Sequence, residues 1–310
     1  MNAGAETAPA SQAGVVFPFL LITLIWGSTW LVIRDQIGSG GVAVPPSWSV
    51  TYRFAVAAIA MFASAKARGL PLILDRQALV FAAFLGVSQF SLNFNFVYRS
   101  EIYLTSGLVA VLYALLIVPN SLFGWIWFRQ PVTRAFLIGS GIALAGVALL
   151  FLHEYRVSAV DPSRVLLGIG FALAGLLCAS ASNVIQGMEI ARTRPMLVLL
   201  AWAMLAGSAV DGLYAFATTG PPVFDPRPAY ALGILYLALI GSVVTFPLYF
   251  LLIQRVGAGR AAYTGVLTPV IAMLLSTLFE DYRWSLLAAS GGALAMLGMV
   301  VALRARARPA

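Results

Sequence analysis

Two charged side chains lie inside long apolar stretches of the sequence. Arg53 follows Pro46 by seven residues, which is roughly 10 Å along a helix that rises about 1.5 Å per residue. Asp211 lies within the apolar run 197–217. An unpaired charge in a bilayer costs about 3 kcal/mol or more, so each residue is a candidate for binding substrate or a proton, or for pairing with the other. The alternatives are that Arg53 snorkels or caps backbone groups and that Asp211 lies nearer to water.

Uncharged polar and aromatic residues recur in the same stretches at helical spacing. Gln89 and Asn93 are four residues apart and share a helix face, and Asn183 and Gln186 are three apart. Such side chains either form hydrogen bonds between helices or supply the few oriented polar contacts of an apolar pocket. The predicted substrate-binding residues are Trp26, Ser28, Arg53, Gln89, Asn93, Tyr113, Asn183, Tyr249 and Tyr263, and Asp211 is a predicted proton or charge-pair site.

The sequence gives no basis for metal, disulfide or nucleotide chemistry. It contains one cysteine, Cys178, and one histidine, His153, which cannot by themselves form a zinc site or an intrachain disulfide. No glycine-rich pattern of the P-loop type occurs. We therefore predict no catalytic residue, no metal and no cofactor.

The elements that must position the polar residues are membrane-spanning helices. Of the 310 residues, 61% are hydrophobic and 10% are charged, and the mean hydropathy is +0.93, whereas a soluble domain has about 25% charged residues. A bilayer core requires about 20 apolar residues per helix, so ten crossings fit the length. The predicted spans are 15–34, 47–65, 77–98, 103–128, 132–152, 165–188, 196–218, 229–253, 260–279 and 284–303. The predicted fold is an all-α polytopic membrane protein.

Basic residues are distributed unevenly between the two sides of this arrangement. One side has Lys66, Arg68, Arg76, Arg129, Arg134, Arg192, Arg194, Arg255, Arg260, Arg304, Arg306 and Arg308, and the other has Arg34, Arg99, Arg156, Arg164, Arg227 and Arg283. Because cytoplasmic loops carry the excess of Lys and Arg, both termini are predicted to be cytoplasmic. The net charge of +8 therefore reflects membrane topology, and no nucleic-acid partner is predicted. Residues 1–14 contain no Lys or Arg, so we predict a disordered tail there and not a cleaved signal peptide.

The two halves of the sequence resemble each other at an offset of 150 residues. Between 107–145 and 257–295, nine of 39 positions are identical without a gap, including Tyr113 with Tyr263 and Pro119 with Pro269. Two halves of five helices each must lie in the membrane in opposite orientations. The sequence therefore predicts an inverted repeat, 15–152 and 165–303, in which a binding site lies near the midplane between the halves.

Several short motifs resemble those of the EamA-type carriers of the drug/metabolite transporter superfamily. They are Trp26-Gly27-Ser28, Tyr52-Arg53-Phe54, Thr105-Ser106-Gly107 leading to Pro119, and Gly257-Ala258 leading to Pro269 and Glu280. The resemblance implies a 5+5 inverted repeat, a cavity lined by helices 1–4 and 6–9, peripheral helices 5 and 10, and export of amino acids or other small metabolites. Where the family commonly has a Gly-Glu pair after helix 4, this sequence has Arg129-Gln130, and we interpret Glu280 as structural.

Prolines and small residues suggest how the helices bend and pack. Pro119 and Pro269 each remove a backbone hydrogen bond within a span, so they are predicted hinges or static kinks. Spans 5 and 10 carry faces rich in glycine and alanine, which allow close helix packing within one chain or a homodimer through these two spans.

These features predict a multi-pass secondary transporter of the cytoplasmic, or inner, membrane that performs efflux of a small-molecule substrate by alternating access. Its partners are that substrate and the lipid bilayer. Amino acids, nucleosides, sugars, polyamines and drugs all stay open as substrate classes. The alternatives are a membrane-embedded enzyme on lipid-like substrates, which would require a catalytic constellation, and a small-solute channel, which would require a polar or charged ring in an open pore.

Overall fold

The computed structural model describes residues 13–38, 41–157, 161–256 and 264–306, and within those ranges its regular elements are all helical. The long helices are α1 (Ala13–Gly38), α2 (Pro46–Ala67), α3 (Arg76–Glu101), α4 (Ser106–Phe128), α5 (Arg134–Val157), α6 (Pro162–Ile185), α7 (Met196–Thr219), α8 (Pro228–Leu235 continuing through Tyr236–Val244 and Thr245–Val256), α9 (Thr264–Phe279) and α10 (Leu286–Arg306). Nine of these are long and apolar enough to cross a membrane, and α9 is an apolar helix of 16 described residues. The prediction of an all-α polytopic membrane protein is confirmed.

The helix boundaries follow from ordinary capping chemistry. Pro46 and Pro162 occupy the first turns of α2 and α6, where a missing amide proton costs nothing. The Asp75 carboxylate caps α3 by accepting from the backbone amide of Ala78 at 2.9 Å. That hydrogen bond, together with nearby Arg194, lowers the pKa of the Asp75 carboxyl. The caps therefore fix where the helices enter and leave the apolar region.

Two helices contain a widened π-helical segment, which the sequence analysis did not predict. The segments are Gly86–Asn93 in α3 and Tyr236–Val244 in α8, and their first residues are 150 positions apart. A π-helical segment changes the direction in which side chains point and is frequent at functional sites. The two halves of the chain thus share this feature in the same register as the sequence repeat.

Helices α5 and α10 pack against each other through backbone contacts. A Cβ atom on Gly139 would lie 2.4 Å from the Ala302 nitrogen, and one on Gly298 would lie 2.2 Å from the Ala143 nitrogen. The small-residue faces are therefore occupied within one chain. A homodimer through these helices stays a prediction, and it would have to use outward positions such as Gly141, where a Cβ atom would meet no described atom within 4 Å.

The contacts between α5 and α10 also define the structural register of the repeat. Gly139 contacts Gly298, and Gly146 contacts Gly291. The residue 152 positions after Gly139 is Gly291, and the residue 152 positions before Gly298 is Gly146, so the two contacts are equivalent under a shift of 152. The ungapped offset of 150 is therefore wrong for this pair of helices. The second half has two additional residues between Pro269 and α10.

The ends of α4 and α9 show the same shift. Arg129 and Asp281, which are 152 positions apart, both adopt left-handed backbone conformations, with φ of 54° and 55°. The amide of the next residue then donates back into the helix, from Gln130 to the Gly124 carbonyl at 3.2 Å and from Tyr282 to the Ser276 carbonyl at 3.3 Å. Gln130 is therefore the structural counterpart of Tyr282, and not of Glu280 as the ungapped alignment placed it.

The close packing of α5 on α10 gives a matched pair of substitutions. We expect Gly298→Val to destabilise the protein by about 1–3 kcal/mol, because its side chain would overlap the α5 backbone. Gly292→Val is the control, since a Cβ atom there meets no described atom within 4 Å. Thermal unfolding in detergent, followed by fluorescence-detected size exclusion, measures both. Equal stability of the two variants would contradict this packing.

Candidate substrate chamber

Trp26 joins the first half of the chain to the second. Its indole nitrogen donates to Thr245 Oγ1 at 2.9 Å, and its ring lies against Tyr249 and Phe246 with centroid distances of 5.1 and 5.8 Å. These partners are on α8, so α1 and α8 form an aromatic wall with an oriented polar group within it. Two predicted substrate-binding residues, Trp26 and Tyr249, are thus in contact.

Ser28 makes a second connection between the same two helices. Its hydroxyl hydrogen-bonds the Tyr236 hydroxyl at 2.6 Å, and Tyr236 is the first residue of the π-helical segment of α8. Neither Tyr236 nor Thr245 was predicted as a site residue. Their positions in a long apolar run with few other polar groups were the available signal.

Tyr113, Asn93 and Gln89 form a chain of hydrogen bonds between α4 and α3. The Tyr113 hydroxyl donates to Asn93 Oδ1 at 2.7 Å, and Asn93 Nδ2 donates to the backbone carbonyl of Gln89 at 3.3 Å. Trp30 on α1 lies against the Tyr113 ring at a centroid distance of 5.1 Å. Trp30 Nε1 and Gln89 Oε1 are buried, and neither has a hydrogen-bond partner among the described residues. One donor and one acceptor are therefore available to a ligand.

Arg53 is almost completely buried among α2, α3 and α8. Its guanidinium lies 4.3 Å from the Phe94 ring centroid and 5.1 Å from that of Phe54, and Nη2 donates to Ser242 Oγ at 3.4 Å. Cation–π contacts of a desolvated guanidinium are worth about 2 kcal/mol. The Nε and Nη1 groups have no acceptor among the described residues. Their free N–H groups suit a carboxylate or phosphate ligand.

Asp211 is buried and occupies a different environment. Its Oδ1 accepts from Ser91 Oγ and from Asn95 Nδ2, both at 2.6 Å, so it links α7 to α3. Within the described ranges no salt bridge joins Asp211 to Arg53. The direct charge pair left open by the sequence is therefore not formed in this conformation, and the proton role stays a prediction.

Glu101, which the sequence analysis assigned to a loop, ends α3 and is fully buried. Its neighbours are Arg34 on α1, whose Nη1 donates to the Glu101 carbonyl, and Glu280 just beyond α9. Glu280 Oε2 accepts from the Ser106 amide at 3.1 Å and from the Ser106 hydroxyl at 3.0 Å. A carboxylate at the first turn of α4 is stabilised by the helix dipole. This end of the bundle is therefore closed by charged residues from α1, α3 and α9.

Of the two remaining predicted substrate-binding residues, only Asn183 is among the described residues. Asn183 is exposed on α6, and Gln186 lies just beyond the end of that helix. Tyr263 lies outside the described residues.

The two predicted hinges differ in their surroundings. Helix α4 is interrupted at Leu115 and Leu116, just before Pro119, and the Val118 amide donates to the Leu115 carbonyl at 2.8 Å. Pro269 lies within a continuous helix. A hinge function of either proline stays a prediction.

Comparisons with known proteins find a matching family model and several relatives. The model of the EamA-like transporter family matches residues 5–152 and 166–304. Protein PagO of Salmonella typhimurium is 23% identical over 92% of this chain and 90% of its own. The uncharacterized inner membrane transporter YedA of Escherichia coli is 28% identical over 82% of this chain and 79% of its own. A probable terminal-alkyne amino-acid exporter of Streptantibioticus cattleyicolor is 24% identical over 92% of both chains.

A solved crystal structure has the same fold, with a TM-score of 0.67 at 21% identity over 94% of this chain and 97% of that chain. The apolar helices and the family match define a multi-pass membrane protein of the transporter class. The chain belongs to the EamA-like transporter family.

The chamber predicts that Arg53 contributes more to transport than to folding. We expect Arg53→Ala to reduce transport by about tenfold or more, equivalent to ~1.4 kcal/mol, because it removes the unpaired N–H groups from the chamber. Membrane abundance and thermal stability should change much less. Arg99→Ala is the control, because Arg99 contacts Tyr214 at the helix ends. Normal transport by Arg53→Ala at normal abundance would refute this role.

Proposed function

We propose that the protein is a secondary carrier that exports small organic metabolites, with amino acids as the first class, from the cytoplasm by alternating access. The observation that carries the proposal is that polar side chains from both halves hydrogen-bond each other within the bundle. Ser28 contacts Tyr236, Trp26 contacts Thr245, and the contact partners belong to opposite repeats. Inverted repeats place substrate sites at such an interface.

The chemistry of the chamber supports a zwitterionic substrate. Arg53 has free N–H groups that suit a carboxylate, and Gln89 Oε1 is a free acceptor that suits an ammonium group. The aromatic wall of Trp26, Phe246 and Tyr249 supplies the apolar surface for a side chain. The relative named as a probable amino-acid exporter supports the same class.

Counterflow in proteoliposomes tests this function. Vesicles loaded with an unlabelled amino-acid mixture should accumulate a radiolabelled mixture from outside, whereas empty vesicles should not. A carrier is accelerated by substrate on the opposite side, and a channel is indifferent to it. The absence of counterflow with amino acids, nucleosides and sugars would reject export of these metabolites and favour the alternative functions.

We also propose that both termini are cytoplasmic, on the basis of the distribution of Lys and Arg. In a Cys178→Ala background, an impermeant thiol reagent should label Pro222→Cys from outside intact cells and should label Arg68→Cys only after the membrane is opened. Both positions lie in exposed segments between helices. Labelling of Arg68→Cys from outside would reverse the proposed orientation.

A further inference from the structure

Glu101 is a fully buried carboxylate that the proposed substrate chemistry does not use. Among the described residues, no group donates a hydrogen bond to either of its carboxylate oxygens. Buried carboxylates without donors are costly in the ionised form. By contrast, Glu280 Oε2 accepts from Ser106 and also from Ser276 Oγ at 2.5 Å. Of these two carboxylates, only that of Glu101 accepts no hydrogen bond from a described residue.

The charges that face Glu101 come from several helices. Arg34 on α1 and Arg53 on α2 are positive, and Glu280 beyond α9 is negative. The hydroxyls of Tyr98, on the same helix, and of Tyr113 on α4 also face it. Two arginines and two glutamates balance when all four are ionised. The ionised form of Glu101 therefore depends on both arginines staying in place.

Of the two arginines, Arg34 is the one whose side chain can move away from the glutamates. Its Nε lies 4.0 Å from Glu280 Oε1, its side chain is 36% exposed, and its Nη1 donates to the backbone carbonyl of Glu101. It also borders a groove of 710 Å³ between α1, α8 and the end of α9. Arg53, in contrast, is enclosed by Phe54, Phe94 and Ser242. Separation of α1 from α3 and α9 would withdraw Arg34 from both glutamates.

We propose that Glu101 is a proton-binding site that couples the opening of this outer end to proton uptake. The proposal rests on the proposed alternating access. When Arg34 withdraws, the buried Glu101 carboxylate, which accepts no hydrogen bond from a described residue, loses a positive neighbour, and a buried carboxylate without compensation favours its protonated form. A proton from external water then binds a Glu101 carboxylate oxygen. Return of Arg34 restores the balance, and the proton passes to water on the chamber side as the outer end closes.

Asp211 differs from Glu101 at one of its two carboxylate oxygens. Its Oδ1 accepts hydrogen bonds from Ser91 and Asn95 on α3, whereas its Oδ2, like both carboxylate oxygens of Glu101, is buried without a donor among the described residues. Movement of α1 would not change its charged neighbours. Asp211→Asn is therefore the rival variant in the tests of Glu101.

A thiol placed at the closed end reports its opening without any substrate. Thr105 Oγ1 is buried beside this cluster, so Thr105→Cys in a Cys178→Ala background is shielded when the outer end is closed. Its labelling by an impermeant maleimide is divided by the labelling of the exposed Pro222→Cys at the same pH. This division removes the pH dependence of the reagent itself. We expect this ratio to rise several-fold as external pH falls from about 8 to about 5.5, a range in which a buried carboxyl can titrate.

The variants then identify the titrating group. Glu101→Gln should give a high ratio at every pH, because it imitates the protonated carboxyl, and Arg34→Ala should do the same by removing the compensating charge. Asp211→Asn should keep the pH response. A ratio that responds to pH equally with and without Glu101, or that responds only when Asp211 is present, would overturn the proposal. Arg34→Ala keeps the test valid if Glu101→Gln does not reach the membrane.

A flux measurement separates this proposal from the proposed function. A pH gradient, acidic on the face that the labelling identifies as external, should stimulate flux of the radiolabelled amino-acid mixture by wild-type protein. The ratio of flux with the gradient to flux without it should be about one in Glu101→Gln. In the wild-type protein this ratio should follow the pH dependence expected for a titrating carboxyl. Counterflow by the wild-type protein that the pH gradient does not change would support the carrier function and reject the proton site at Glu101. A pH-dependent labelling ratio without amino-acid flux would keep the proton site and reject the substrate class.

Discussion

The guanidinium of Arg53 must be kept away from lipid, and the arrangement of the chamber follows from how this is done. Hydrocarbon offers no hydrogen-bond partner, so a charge at membrane depth needs partners from the protein. Phe94 and Phe54 cover its faces, and Ser242 accepts from one nitrogen. These contacts bring α2, α3 and α8 together and leave N–H groups unused. The same residue therefore organises helices from both halves and provides the clearest site for an anionic ligand group.

The inverted repeat explains why polar groups gather between the halves and why the two ends differ. Matching π-helical segments in α3 and α8 turn side chains such as Asn93 and Tyr236 from the helix surfaces into contacts with α4 and α1. The symmetry is broken beyond Pro269, where two additional residues place Glu280 at the start of α4. At the other end the counterpart region contains Arg129 and Gln130. The charged closure thus belongs to one end of the molecule.

Much of this could be predicted from the sequence, because apolar length and the position of charges are local properties. Arg53 and the pairs around Trp26 and Asn93 were found because polar residues in long apolar runs are rare. Glu101 lies between the predicted spans 77–98 and 103–128, and only the packing of α1 and α9 shows that it is buried. The 152-residue register was hidden because common membrane residues give more identities at the ungapped offset of 150. The π-helical segments have no simple sequence pattern.

The central claim is that the chamber binds a zwitterionic metabolite through Arg53, and a binding titration tests it most directly. Tryptophan fluorescence of the purified protein should change saturably with an amino acid that is transported, because Trp26 and Trp30 contact Tyr249 and Tyr113 in the candidate site. The amide of the same amino acid, which lacks the carboxylate, should bind about tenfold or more weakly, a loss of ~1.4 kcal/mol. Arg53→Ala should remove this difference. Equal binding of the acid and the amide by the wild-type protein would contradict the account.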